Sequence, residues 1–227
     1  DFPIAFSGGH PLGSIGMKTT LLHSMIGLGL TLSFGFGLVV QSPAMLVQAD
    51  DLSAQDDGEK VVITYKGNLV AQYIYTGVRK PIIGPFGVRM TRDYPMKIGT
   101  PFEAKDHPHQ QSLWFTHGDV NGISFWHIEQ GSGTIVAEND LRLACSTHEA
   151  DGQSFARAAV TQSHRWLGPN GDLICRDEQR VTFQILPEGE LTIDMEITLK
   201  ATEGDLRFGD TKEGTMGIRS HPALRLE

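Results

Sequence analysis

The stretch Leu191–Lys200, LTIDMEITLK, alternates apolar and polar residues along its whole length. Alternation with a period of two is typical of a β-strand that has one face against a hydrophobic core. Just before it, residues 181–185 (VTFQI) repeat the pattern, and residues 187–190 (PEGE) between them favour a turn. The two stretches are therefore predicted to form a long antiparallel hairpin.

The same alternation recurs in the chain after residue 50. Two further pairs of alternating stretches are 61–65 with 69–75, and 141–149 with 154–165. Each pair flanks a short turn signal, and Asn170-Gly171 is another turn signal before an alternating stretch at 173–180. No window here shows a helical stripe of apolar residues with capping residues. We therefore predict an all-β, mainly antiparallel fold, most simply a large β-sandwich.

Residues 17–49 have the order of parts of a secretory signal peptide: a cationic start, an apolar run over residues 21–40 and a small-residue end at Ala49. We predict cleavage after Ala49 and an exported protein, periplasmic or extracellular. Residues 1–16 are then an upstream segment that is not part of the native protein, and residues 50–227 form a single domain. A membrane anchor is the alternative, which the glycines of the apolar run disfavour.

The chain carries a formal net charge of −8 at pH 7 and has no run of basic residues. An acidic domain of this kind binds nucleic acids and anionic membranes poorly. Small neutral molecules, polyols and glycans are the ligands that this charge favours. No G-x-G-x-x-G or P-loop motif is present, which argues against a nucleotide cofactor. After residue 49 no segment is apolar enough to span a bilayer, so the mature chain is predicted to have no membrane span.

Residues 106–126, DHPHQQSLWFTHGDVNGISFW, combine histidines, carboxylates, an amide and tryptophans in a mixture that a packed core does not require. The histidines are suited to metal binding or proton transfer, because imidazole titrates near neutrality. The other polar groups can bond a polyol, and the indoles offer apolar faces. The candidate site residues in this run are His107, His109, His117, Asp119, Asn121, Trp114 and Trp126.

Pro108 constrains the segment that carries the first two histidines. A residue before proline avoids the helical region, and proline fixes its own φ. The segment is therefore predicted to be extended, with the imidazoles of His107 and His109 on one side and about 6.5 to 7 Å apart. Such a pair can share one ligand. The alternative is that each is a polar loop histidine in ordinary hydrogen bonds.

A second polar constellation lies near the end of the chain, at residues 208–221 (FGDTKEGTMGIRSH). Its glycines predict tight turns that gather the charged groups of Asp210, Lys212 and Glu213, and Arg219 follows in a probable strand. This constellation could face the histidine run across the sandwich, or it is a solvated surface turn. Upstream, residues 84–109 lack alternation and include Arg89, and we predict that they form a loop folded over the site.

Cys145 and Cys175 are the only two cysteines, and both fall in predicted neighbouring strands. An exported chain could join them in a disulfide. No C-x-x-C motif is present, so neither a thiol-redox site nor a cysteine zinc site is predicted.

Three motifs carry a resemblance to a known family: the histidine run, GDTKEGTMGIR at 209–219, and IIGPFGVRMTRDYPM at 82–96. Over most of residues 59–227 the chain resembles an exported bacterial family labelled "methane oxygenase PmoA". The label is not taken as an activity, because membrane methane oxygenases have several spanning helices. Where the family usually has H-P-H-H-R, this chain has Gln110 and Gln111, which weakens an anion-binding role.

The resemblance implies a fold and a list of site residues. The family looks like a relative of galactose-mutarotase-like proteins that act on carbohydrates, which implies a supersandwich. Its members run beyond residue 227, which implies a domain that is incomplete at its C-terminus. The positions that match the family motifs are His107, His109, His117, Asp119, Asn121, Trp126, Asp210, Lys212, Glu213 and Arg219.

The leading prediction is an enzyme that acts on a sugar or glycoside, as a hydrolase, lyase or epimerase. The catalytic candidates are the three histidines of the run, with Asp119 or Glu213 as carboxylate partner. The predicted substrate-binding residues are Arg89, Trp114, Asn121, Trp126, Asp210, Lys212 and Arg219.

Two alternatives use the same residues. A divalent metal bound by His107, His109 and a third group, which is His117, Asp119 or Glu213, would suit a metal-dependent hydrolase or lyase. A non-catalytic carbohydrate-binding module would use the aromatic residues as its platform, with the histidines only supporting loops.

Overall fold

Alternating apolar residues produce a protein built from antiparallel strands, as the sequence predicts. The computed structural model describes residues 45–86, 107, 109–186 and 190–219, and these residues contain strands but no helix. The strands are β1 (Leu46–Ala49), β2 (Leu52–Asp56), β3 (Lys60–Tyr65), β4 (Asn68–Ile74), β5 (Ile82–Phe86), β6 (Leu113–Phe115), β7 (Thr134–Ala137), β8 (Arg142–Ala150), β9 (Gln153–Leu167), β10 (Leu173–Ile185), β11 (Leu191–Lys200) and β12 (Met216–Ile218). The predicted all-β class is confirmed.

The strands form two sheets in a sandwich-like arrangement. The larger sheet has the order β1-β2-β3-β4-β5-β6-β12, and the smaller has the order β11-β10-β9-β7. Strand β8 pairs with β9 in the smaller sheet. Every pairing is antiparallel, which short hairpin turns permit. All described residues belong to one compact unit.

The three predicted hairpins are present. Strands β10 and β11 pair from Arg176 opposite Lys200 to Ile185 opposite Leu191. The turn predicted between them lies largely outside the described residues. The β8–β9 turn has positive φ at Asp151 (54°) and Gly152 (73°), the conformation of a type I′ hairpin turn. Such a turn matches the twist of the strands that it joins.

The main core lies between the sheets, where the inward residues of both meet. Ile63 and Val61 of the larger sheet pack in the same cluster as Phe183 and Val160 of the smaller one, all at 1% exposure or less. Burying one such side chain contributes about 1.5–3 kcal/mol. A second cluster around Trp166 fills the sandwich nearer the polar constellations.

A buried polar network crosses the core. The Tyr73 hydroxyl lies 2.8 Å from His164 Nε2, and His164 Nδ1 lies 2.5 Å from Asp177 Oδ1. Trp166 Nε1 donates to the other oxygen of Asp177 at 2.7 Å. His164 and Asp177 are fully buried, and burial raises the pKa of Tyr73 well above its usual value. The network therefore links β4 of one sheet to β9 and β10 of the other.

The two cysteines are free thiols. The prediction that they sit on neighbouring strands is wrong, because β8 and β10 each pair with β9 and so lie on opposite sides of it. Burial raises the pKa of both thiols, and that of Cys175 to about 12.

The residues before the predicted cleavage point form β1, whose residues Leu46 to Ala49 pair with β2. The cleavage and the export stay predictions, and residues 1–44 lie outside the described part. Across the described residues, we find no helix with the length and apolar character needed to cross a membrane.

Gly217 of β12 pairs with Trp114 of β6 and lies against the indole ring. A Cβ at Gly217 would lie 2.2 Å from Trp114 Cζ2, so Gly217→Ala forces the ring or the strand to move. We expect Gly217→Ala to lower the free energy of unfolding by about 1–3 kcal/mol in urea denaturation. The matched control is Gly214→Ala, because the nearest atom to a Cβ there is 3.8 Å away. Equal stability of the two variants would contradict this packing.

Candidate functional site

The two polar constellations of the sequence come together at one edge of the larger sheet. Strands β6 and β12 pair directly, and Val120 bridges to Phe208 just beyond them. One possibility raised by the sequence was that the two constellations face each other across the sandwich. The constellations instead lie side by side, because the segments that carry them are adjacent in one sheet.

Three imidazoles form a cluster at this edge, which we call the imidazole cluster: His107, His109 and His127. The ring centroids of His107 and His109 are 5.8 Å apart, and those of His109 and His127 are 6.0 Å apart. The prediction of an extended 107–109 segment falls partly outside the described residues, at Pro108, and the Gln110 amide donates to the His107 carbonyl at 3.0 Å.

His127 is held by contacts on both ring nitrogens. Its Nδ1 lies 2.9 Å from Ser124 Oγ, and its Nε2 lies 3.2 Å from Glu213 Oε1. When the Ser124 hydroxyl donates to Nδ1 of the neutral ring, the Nε2 proton points at Glu213. The sequence did not predict His127 as a site residue, because the predicted histidine run ends at Trp126, one position before it.

Glu213 is the carboxylate of the site. Its side chain is 14% exposed, and Lys212 Nζ lies 3.3 Å from the same oxygen that His127 contacts. The Glu213 backbone amide donates to Thr211 Oγ1 at 2.9 Å, which fixes the turn that presents the carboxylate. The carboxylate of Glu213 therefore lies between an imidazole and an ammonium group.

Lys80 is a buried cation that sequence reasoning also missed. It is 4% exposed, its Nζ donates to the His109 carbonyl at 2.9 Å, and it lies 5.5 Å from the centre of the Trp114 ring. Burial, with a smaller effect of Arg79, lowers the pKa of Lys80 to about 8. Its position far upstream in the sequence gave no signal that it belongs to this site.

His109 has a lowered pKa. Burial is the largest cause, followed by the positive charges of Lys80, His127 and His107. Its buried Nδ1 has no hydrogen-bond partner among the described atoms. The ring is therefore neutral at pH 7 and can accept a proton.

Arg219 is a predicted site residue that directly follows β12. Its backbone amide donates to the Ser112 carbonyl at 2.6 Å, and its guanidinium donates to Gln110 Oε1 at 2.9 Å. Ser112 has a φ of 54°, an uncommon conformation for a residue other than glycine that is typical of constrained sites. Gln110 therefore holds Arg219 in place. Gln110 is one of the two positions at which this chain departs from the H-P-H-H-R motif of the family that it resembles.

His117 lies apart from the imidazole cluster. Its Nε2 is 2.9 Å from the Gly209 carbonyl, and its ring packs on Phe208 with centroids 5.0 Å apart. His117 is 8% exposed. Its contacts connect the two constellations and leave little of the ring accessible for acid–base chemistry.

Asp119 and Asn121 stabilise a turn. Asp119 Oδ1 accepts the Gly122 amide at 2.8 Å, as expected for an aspartate that closes a turn. Asn121 bonds Asp205 and Arg207 through both atoms of its amide. Its φ of 51° suits asparagine. The hydrogen bond of Asp119 therefore closes a local turn, and those of Asn121 join this turn to the segment of residues 205–207.

The remaining predicted site residues are placed as follows. Trp114 and Trp126 are buried against each other, with ring centroids 5.3 Å apart, so stacking on a sugar would require this pair to open. Asp210 is exposed on the turn before Lys212. Arg89 and His221, together with most of the predicted covering loop, lie outside the described residues.

Within the described part of the chain, no group of three or more His, Cys, Asp or Glu side chains is arranged to hold a metal ion. His117 contacts Gly209 and Phe208, and its part in the predicted ligand set with His107 and His109 stays a prediction.

Comparisons with known proteins give one match. Residues 53–226 match a family model described as "Family of unknown function (DUF6807)". Neither a curated protein nor a solved structure matches the chain.

Proposed function

We propose that this chain, which belongs to the DUF6807 family, is an exported enzyme that acts on a sugar or glycoside by acid–base chemistry. The two proposed catalytic groups are His109 and Glu213. The observation that carries the proposal is the position of His127, whose ring lies 6.0 Å from that of His109 and 3.2 Å from a Glu213 oxygen. The kinship with the exported family labelled PmoA and with galactose-mutarotase-like proteins belongs to the same proposal.

The chemistry needs one group that takes a proton and one that gives it. His109 is neutral at pH 7, because burial and neighbouring cations lower its pKa, so it serves as the base. Glu213 is the complementary group, and His127 positions its carboxylate from one side. Proton transfer by placed side chains contributes about 10² to 10⁴ in rate.

The substrate is proposed to be neutral and rich in hydroxyl groups. Gln110, Lys212 and Arg219 offer donors and acceptors around the two catalytic groups, and such groups bond hydroxyls well. The net charge of −8 disfavours an anionic substrate. A platform for mere glycan binding receives less support, because Trp114 and Trp126 are buried.

The experiment is a screen of neutral sugars and glycosides for hydrolysis, elimination and epimerisation, followed by the pH profile of kcat/KM on the active substrate. Because His109 must be neutral to act as the base and its pKa is lowered from 6.5, we expect the acid limb of the profile below pH 6.5. His109→Asn should lose most of the activity.

His148→Asn is the matched control, since His148 is exposed on β8 and its ring stacks on Phe155 away from the site. It should retain wild-type turnover and the same pH profile. An acid limb above pH 6.5, or full activity in His109→Asn, would refute the assignment of His109 as the base.

A further inference from the structure

A cavity of about 410 Å³ opens between the two sheets, and no residue of the proposed reaction lines it. Its volume falls in the range of about 300–1,000 Å³ that is usual for small-molecule sites. Val78 and Leu141 contribute an apolar wall, while Asp56, Tyr75 and Gln162 contribute polar groups. The cavity therefore has the mixed lining that binds small molecules with one polar end.

Asp56 is a nearly buried carboxylate, at 9% exposure. Its Oδ1 accepts the Tyr75 hydroxyl at 2.6 Å and the Gly58 amide at 3.0 Å. Burial and the hydrogen bond to Asp56 raise the pKa of Tyr75. Among the described residues no Lys, Arg or His forms an ion pair with Asp56. Buried charges in proteins are normally paired, so Asp56 is open to a cationic partner.

Glu138 is the other acid in the lining, and its charge is already matched. Its carboxylate pairs with the guanidinium groups of Arg176 and Arg165. Of the lining residues that the structure describes, none is a lysine or an arginine. The charge inside the cavity that lacks a counter-ion is therefore that of Asp56.

Gln162 adds a second acceptor. Its side chain is 2% exposed, and its Nε2 donates to the Glu138 carbonyl at 2.8 Å. Its buried Oε1 has no hydrogen-bond partner among the described atoms. Buried acceptors are normally satisfied, so a donor from a ligand or a water is expected at this oxygen.

We infer that this cavity binds a small organic cation, a protonated primary amine on a short apolar chain, with Asp56 as its counter-ion. An ammonium group has three donors and no acceptor, which suits a site that offers a carboxylate without a cationic partner and a Gln162 oxygen without a donor. Val78 and Leu141 pack against the alkyl chain. This binding does not depend on the sugar chemistry proposed above.

The test is a calorimetric titration of the full chain with n-butylammonium chloride. We expect a Kd in the millimolar range, which is usual for a ligand of so few atoms. 1-Butanol has a similar chain without the charge and should bind at least about tenfold more weakly, because charge-assisted hydrogen bonds are the stronger class. Asp56→Asn should weaken butylammonium binding by a similar factor, since it removes the charge and keeps an acceptor for Tyr75.

Asp57→Asn is the matched control, because Asp57 is the neighbouring residue, is not part of the lining and pairs with Lys60 on the surface. It should leave the Kd unchanged. The inference is overturned by no butylammonium binding up to about 50 mM, by 1-butanol or glucose binding as tightly, or by wild-type affinity in Asp56→Asn. If Asp56→Asn does not fold, the changes in amide NMR chemical shifts of the wild-type chain on addition of butylammonium test the inference instead. Shifts confined to the lining residues 45, 56, 58, 75–78, 136–139, 141 and 162 and their immediate chain neighbours support the site, and shifts elsewhere overturn it.

Discussion

Glu213→Gln is expected to lower kcat/KM on the substrate identified by the screen by about 10² to 10⁴, with little change in stability. The substitution keeps the size of the side chain and an oxygen that can accept from His127, which lies 3.2 Å away. It removes the carboxylate that we propose as the catalytic partner of His109. The measurement is steady-state turnover together with a urea unfolding curve, which separates lost chemistry from lost folding.

Asp210→Asn is the control for this result. Asp210 lies three positions earlier on the same turn and is exposed, so its removal tests whether charge alone matters there. We expect activity close to that of the wild type. Wild-type activity in Glu213→Gln, or an equal loss in both variants, would remove Glu213 from the mechanism.

Asp177→Ala is expected to lower the free energy of unfolding by about 3–5 kcal/mol. The carboxylate is fully buried and accepts from His164 Nδ1, Trp166 Nε1 and Gln179 Nε2, so its loss leaves three buried donors without this acceptor. Each such group costs about 1–3 kcal/mol, and the space left by the side chain adds to the loss. Urea denaturation measures the change.

Two further variants calibrate the loss. Tyr73→Phe removes a single hydroxyl from the same network and should cost less, about 1–3 kcal/mol, because one ring nitrogen of His164 loses its partner. Asp194→Ala removes an exposed carboxylate on β11 and should change stability by about 0.5 kcal/mol or less. If Asp177→Ala were as stable as Asp194→Ala, the network would have no part in holding the two sheets together.

The long strands were predictable because the period-two signal repeats over enough residues. Strand β11 spans the ten residues of the stretch that alternates most regularly, and β10 reaches back to Leu173 as the turn at Asn170-Gly171 suggests. The turn at Asp151-Gly152 was equally clear, since only a few residue types adopt positive φ there. Local pattern and final structure agree for these elements because one face of each is buried.

The short strands could not be predicted in the same way. Strand β6 has three residues that are all buried, and β12 has three residues, so neither can show an alternation. They form because they pair with each other, and this long-range contact is not visible in either segment alone. Because these two strands bring the candidate site together, the geometry of the site could not be predicted from sequence periodicity.

Residue type identified the region of the site better than it identified roles. Asp119 and Asn121 have the chemistry of substrate ligands, yet Asp119 closes a turn and Asn121 bonds the backbone of Asp205 and Arg207. His127 was not predicted because it lies one position after the histidine run, and Lys80 was not predicted because it lies far upstream of that run in the sequence. In each case the deciding fact is a contact between distant segments, such as the one between Lys80 and the His109 carbonyl.

The position of β12 at the rim of the larger sheet has a consequence for dynamics. The strand is held by three backbone pairings, and Met216 and Ile218 are 51% and 61% exposed. Segments with few buried contacts open locally at a small fraction of the free energy of global unfolding. We therefore expect Glu213 and Arg219, which flank this strand, to leave the site in local openings while the core between the sheets stays folded. The site would then open as a cooperative unit smaller than the domain, with an opening equilibrium separate from the stability of the whole protein.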